Sequence, residues 1–257
     1  LPSNRGLAAV FYVHLWENDA IRADFFCKPR QNRLIPPQFN RAAPTSGDIR
    51  DNPNQILDMS VLVNQEAPDF TAAAVMGDGS IKADFTLSSL KGKPVVLFFW
   101  PLDFTFVCPT EIIAHDARIP AFEERGVQVV GVSIDSQFTH FAWRQTAVDK
   151  GGIGPVKFPM VADINHSITQ AYGIQHAAGV ALRGSFLIDK DGIVQAQVVN
   201  NLPLGRNVDE MLRLVDALQF HEEHGEVCPA GWQKGQDGMK ADADGVASYL
   251  AAHSKDL

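Results

Sequence analysis

The chain has 257 residues, 46% of them hydrophobic, which is enough for one sizeable core with appendages. Its formal charge of −8, with 22 Lys and Arg scattered among 30 Asp and Glu, argues against a nucleic-acid surface and for a small neutral substrate. No apolar run reaches the roughly 18 residues that a membrane span needs, and Cys27, Cys108 and Cys228 are too few and too far apart for a disulfide scaffold.

In chain order, residues 1–58 come first and differ from the rest of the chain. They hold 6 of the 15 prolines and no methionine, and carry 7 Lys and Arg against 6 Asp and Glu. The apolar stretch from Gly6 to Trp16 has no A-x-A cleavage site and is interrupted by His14, which counts against a secretory signal. Glu17, Asp19, Asp24, Asp48, Asp51 and Asp58 count against a transit peptide, which is acid-poor. The expectation is a non-globular extension over 1–58, from upstream read-through or a misplaced start, with the domain opening at Met59. Cys27 falls in this extension and is assigned no role. The sparse cysteines and the unconvincing signal together lead to an expected cytoplasmic location.

From Met59 onward, short β-rich runs alternate with amphipathic ones, the pattern of an α/β domain. Residues 95–100 (VVLFFW) form a continuous apolar run of buried-strand type, after the turn signal Lys91-Gly92-Lys93-Pro94. A helix is expected near Cys108, with Pro109 at its first position and Glu111 in its first turn. Residues 127–134 predict the next strand and 137–148 the helix after it. Two further strands, 184–189 and 193–199, flank Asp189-Lys190-Asp191-Gly192, whose Asp-Gly ending signals a hairpin. Residues 207–224 predict a long helix with Leu212, Val215 and Leu218 on one face, stopped by Gly225. Strand, helix, strand, helix, hairpin and closing helix is the order of the thioredoxin fold. Residues 59–224 are thus read as the domain and 225–257 as a C-terminal arm.

The chemistry concentrates where the apolar strand turns into a helix, at Pro101-Leu102-Asp103-Phe104-Thr105-Phe106-Val107-Cys108-Pro109. Backbone N–H groups and the positive end of a helix dipole favour a thiolate there. Thr105 stands where a C-x-x-C motif would place its first cysteine, so Cys108 cannot form a local disulfide. The threonine hydroxyl can instead donate to the thiolate and orient a bound peroxide. Pro101 and Pro109 stiffen the loop. Arg183, inside an apolar stretch, needs an anionic partner because an unpaired buried guanidinium is costly. His221, His224 and Cys228 have no fourth ligand nearby, His115 lies one turn after Glu111 without a second histidine, and Gly151-Gly152-Ile153-Gly154 lacks the lysine of a phosphate loop. No metal or cofactor site is expected.

At the string around Cys108 the chain resembles the peroxiredoxins, specifically the typical two-cysteine group that includes thioredoxin peroxidases and the alkyl hydroperoxide reductase C subunit. The resemblance extends to Ala67-Pro68-Asp69-Phe70, His140-Phe141-Ala142-Trp143, Leu182-Arg183-Gly184-Ser185-Phe186 and Gly225-Glu226-Val227-Cys228-Pro229-Ala230-Gly231-Trp232. It implies a thioredoxin fold of peroxiredoxin type with a C-terminal arm, acting on hydroperoxides. Cys108 would be the peroxidatic cysteine and Cys228 the resolving one. Pro101, Thr105 and Arg183 would surround the thiolate, and Glu111 would hold the arginine. A thioredoxin-like protein or a dedicated flavoprotein disulfide reductase would regenerate the enzyme, without a cofactor of its own. A homodimer assembling into a ring of five dimers is also implied. The alternatives are an oligomeric holdase chaperone of the same fold and a thiol–disulfide oxidoreductase, which the missing C-x-x-C disfavours.

Overall fold

A computed structural model describes residues 61–255; the 1–58 segment and Cys27 lie outside the described residues. The framework is a seven-stranded mixed sheet in the order β2-β1-β5-β4-β3-β6-β7. Its strands are β1 (Thr71–Val75), β2 (Ile81–Thr86), β3 (Val95–Phe99), β4 (Gln128–Ser133), β5 (Met160–Ala162), β6 (Arg183–Ile188) and β7 (Val194–Asn200). The helices are α1 (Cys108–Ala117), α2 (Ile119–Glu124), α3 (Gln137–Gln145), α4 (Ser167–Ala171), α5 (Val208–His224) and α6 (Ala243–His253).

β3 is central because its residues have a core on both faces. Side chains alternate across a strand, so Val95, Leu97 and Phe99 join one cluster with Tyr172 and Phe186, while Val96 and Phe98 join the other with Ile112, Phe122 and Met211. That explains why the run is continuously apolar rather than alternating. β3 runs parallel to β4, Val95 opposite Gln128, and antiparallel to β6, Val95 opposite Ile188. A parallel neighbour requires a crossover, which α1 and α2 supply. Gly131 on β4 leaves room for aromatic packing, since a Cβ there would lie 2.7 Å from the Trp100 ring. The order is that of a thioredoxin-like fold with an additional β1–β2 hairpin.

The expected hairpin is present: β6 and β7 pair antiparallel, and Asp189 caps the turn by accepting from the N–H groups of Asp191 and Ile193. The long helix α5 starts after Asn207, whose side chain accepts from Asp209 N–H, and ends at Gly225 with φ +69°. Most of the expected strand boundaries move by one residue, and two differences at the helices have a plain physical cause. α1 begins at Cys108 itself, so Pro109 takes the second helical position, which equally needs no N–H donor. α3 stops at Gln145 because Thr146 is extended, and residues 148–150 form a separate 3₁₀ turn.

Candidate active site

β3 delivers the chain to Trp100, and the loop 101–107 returns it to the first turn of α1. Within that loop Phe104 has φ +54°, a left-handed conformation that costs a bulky residue about 1 kcal/mol or more and persists only where the surroundings impose it. Beyond it, Thr105 Oγ1 lies 2.9 Å from Cys108 Sγ and 2.8 Å from the Leu102 carbonyl. The hydroxyl has one proton for these two acceptors, so it can serve the sulfur only by leaving the carbonyl. Cys108 is fully buried.

Arg183 opens β6 and reaches the same sulfur, with Nη1 at 3.4 Å. The anion that its burial demands is Glu111, one turn into α1, at 2.5 Å from the same Nη1. Arg183 Nε donates to the Leu202 carbonyl at 2.7 Å, which fixes the plane of the guanidinium. A second cation, which sequence reasoning misses, completes the cluster. Arg206, from the loop between β7 and α5, donates to the other Glu111 oxygen through Nε at 2.8 Å and through its backbone N–H at 2.9 Å. Its Nη1 holds the Gly184 carbonyl at 2.6 Å, and its guanidinium lies 5.4 Å from the centre of the Phe98 ring. Burial pushes the Arg206 guanidinium down from its ordinary value, opposed by Glu111. Two buried guanidiniums on one carboxylate leave one positive charge in excess, which an anion at the Sγ position would neutralise.

His115, a turn after Glu111, is buried and stacks flat on Phe98 with ring centres 3.8 Å apart. Its Nδ1 lies 2.7 Å from the Glu111 carbonyl. Burial, reinforced by the Arg206 charge, pushes its pKa down to about 3, so it is neutral at ordinary pH.

The structure thus brings Cys108, Thr105, Glu111 and Arg183 together, and places Pro101 buried at the start of the loop. It does not bring Cys228 to them. That residue follows α5 on the arm, half-buried, with Sγ 3.5 Å from the Ala217 carbonyl. Burial pushes its thiol up, opposed by Arg213. The arm is tacked down by Trp232, which is buried against Phe220 and whose carbonyl accepts from Arg213 Nη1 at 3.1 Å, while the Val227–Met239 bridge closes a loop within the arm. Cys108 and Cys228 are both free thiols.

A buried single thiol at a helix start, faced by a hydroxyl and a guanidinium on a thioredoxin-like sheet, is the arrangement of a thiol oxidoreductase site without a second cysteine beside the first. Residues 63–197 match the AhpC/TSA family and residues 217–252 the C-terminal domain of 1-Cys peroxiredoxin. Alkyl hydroperoxide reductase C of Helicobacter pylori is 60% identical over 195 residues, 76% of this chain and 98% of that protein. Mouse (Mus musculus) peroxiredoxin-2 is 51% identical over 193 residues, 75% of this chain and 96% of the relative. The reduced 2-Cys peroxiredoxin of Plasmodium vivax superposes with a TM-score of 0.73 at 51% identity, covering 75% of this chain and all of that one. The chain belongs to the AhpC/TSA family, as a typical two-cysteine peroxiredoxin, and is a thiol-dependent peroxidase.

Proposed function

We propose that Cys108 is the peroxidatic nucleophile and Cys228 the resolving thiol of a second copy. The Cys108 thiolate attacks one oxygen of R–O–OH, the O–O bond breaks, and sulfur gains OH as sulfenic acid. The departing RO⁻ takes a proton and leaves as alcohol, or as water when R is hydrogen. Thr105 donates to the sulfur and then to the bound oxygen, Arg183 stabilises charge on both oxygens as the bond lengthens, and Glu111 with Arg206 holds that arginine still. Pro101 closes the loop against water. The observation that carries this reading is the convergence of Thr105 Oγ1 at 2.9 Å and Arg183 Nη1 at 3.4 Å on one buried sulfur.

Cys228 then attacks the sulfenic sulfur, water leaves, and a Cys108–Cys228 disulfide forms between subunits. A dithiol reductant, thioredoxin-like or a flavoprotein disulfide reductase, restores both thiols in the cytoplasm. A homodimer, further assembled into a ring of five dimers, accords with the edge strand β7 and with Phe104, Phe106, Phe138 and Phe141, which are exposed in the single chain.

The test is peroxide consumption by the full chain with a thioredoxin system and, separately, with a flavoprotein reductase. Turnover is expected with at least one of them, and Cys108→Ser should reduce it to background, since an alcohol supplies no comparable nucleophile. Retained turnover above about a few per cent in that variant would sink the assignment of Cys108.

A further inference from the structure

Between Leu102 and Val107 only one residue is buried, and it is the charged one, Asp103. Leu102, Phe104 and Phe106 are exposed and Thr105 is half-exposed, so apart from the Phe104 ring, whose centre lies 5.6 Å from that of Trp143, apolar packing does little to hold the segment that presents the threonine hydroxyl. What holds it is a polar anchor. Asp103 Oδ1 accepts from Trp100 Nε1 at 2.8 Å, and Oδ2 lies 2.7 Å from His140 Nδ1. Asp103 N–H donates to Asp135 Oδ2 at 2.9 Å, an oxygen that also accepts from Ser133 Oγ at 2.7 Å. His140 Nε2 in turn lies 3.2 Å from the Val161 carbonyl on β5. The Asp103 and His140 side chains are both 0% exposed, so the bonds between them and to Trp100 and Val161 are made away from water.

We propose that Asp103 and His140 are a buried positioning pair for the peroxide step, fixing the strained Phe104 turn so that Thr105 Oγ1 stays on the Cys108 sulfur. The pair ties the loop to the ends of β3, β4 and β5 and to α3 at once, two residues before Thr105. Without it, Phe104 is free to relax out of its left-handed conformation and carry the hydroxyl towards the Leu102 carbonyl alone. The thiol itself is held independently, by the first turn of α1 and by Arg183. The pair therefore acts on orientation and leaves the sulfur in place.

Proton placement gives the means to test this. The two nitrogens of His140 face a carboxylate and a carbonyl, so a substitution that keeps a donor and an acceptor matched at each of them keeps both contacts. In Asp103→Asn the amide oxygen can accept from Trp100, the amide nitrogen can donate to His140 Nδ1, and Nε2–H can donate to Val161. Every one of these bonds survives. His140→Phe keeps the ring volume and removes both bonds.

The inference rests on Cys108 as the nucleophile, which Cys108→Ser tests separately. In reduced full-length protein, the rate of Cys108 oxidation by hydrogen peroxide is compared with its alkylation by iodoacetamide, which needs the thiolate but not the hydroxyl. His140→Phe should slow oxidation by about 30-fold or more while alkylation changes by less than about 3-fold, the signature of a misplaced group rather than a lost thiolate. Asp103→Asn should stay within about 3-fold of the parent in both reactions. In a Thr105→Val background, His140→Phe should add almost nothing, because the pair works through that hydroxyl. Should His140→Phe fail to fold, His140→Gln replaces it, since its amide can keep the Val161 contact and abandons Asp103. Equal slowing of oxidation and alkylation, an Asp103→Asn variant that loses about tenfold or more in oxidation, or penalties that multiply with Thr105→Val would each overturn the proposal.

Discussion

The two cysteines that the proposed cycle joins sit in opposite surroundings. Cys108 is fully buried under a loop, a helix start and a strand end, and the arginines around it are themselves bonded to Glu111, Leu202 and Gly184. Cys228 is half-exposed on an arm beyond the last domain helix, with a long contact of 3.5 Å to the Ala217 carbonyl. No residue of α6, which completes that arm, is buried within the chain. The contrast follows from the two tasks. Cleaving a peroxide requires donors fixed before the substrate arrives, whereas resolving a sulfenic acid requires a thiol that can travel.

Softening the rigid half should erase most of that contrast. Glu111→Gln leaves two buried guanidiniums without their carboxylate, so it should cost about 3–5 kcal/mol of unfolding free energy. Cys108 oxidation should fall by roughly 10²-fold as Arg183 loses its bearing. Denaturant unfolding and stopped-flow oxidation check the two figures, and a variant of parental stability would show that the arginines do not depend on Glu111.

A smaller effect probes the rigid half through pH. The folded pKa of His115, about 3, lies below its ordinary value of 6.5. As pH falls below about 6.5 the unfolded chain takes up a proton that the folded chain refuses, so stability present above that pH is lost progressively towards about pH 3. Between about pH 6.5 and pH 4 the loss from this group is on the order of 3 kcal/mol. His115→Phe, which can keep the stack on Phe98, should lose correspondingly less on acidification. Urea unfolding at about pH 7 and about pH 4 measures the difference, and parallel losses in both proteins would show that His115 is not buried neutral.

Much of this site is legible in the sequence because burial constrains it. Arg183 in an apolar stretch demands an anion, and Glu111 meets that demand from the start of α1. The buried strand β3 shows itself as VVLFF, and the hairpin β6–β7 through Asp-Gly. Arg206 escapes such reading because it lies in a loop without periodicity, between Gly205 and Asn207. A physical signal is available there: a cation just before the start of a helix opposes the dipole unless it is partnered elsewhere. The β1–β2 hairpin escapes as well. Thr71–Val75 is alanine-rich and gives little strand signal, although Asp78-Gly79 marks its turn. β5 has only three residues, too few for a pattern to register.

At the heart of the proposed cycle, the buried thiol waits and the arm thiol reaches it from another subunit. Non-reducing electrophoresis of peroxide-treated protein, with the disulfide mapped by mass spectrometry, is the decisive measurement. A covalent dimer linked Cys108 to Cys228 is expected, reversed by reductant, absent in Cys228→Ser and unaffected by Cys27→Ser. A Cys108–Cys228 bond confined to one chain, or a dimer that survives Cys228→Ser, would refute the two-subunit mechanism.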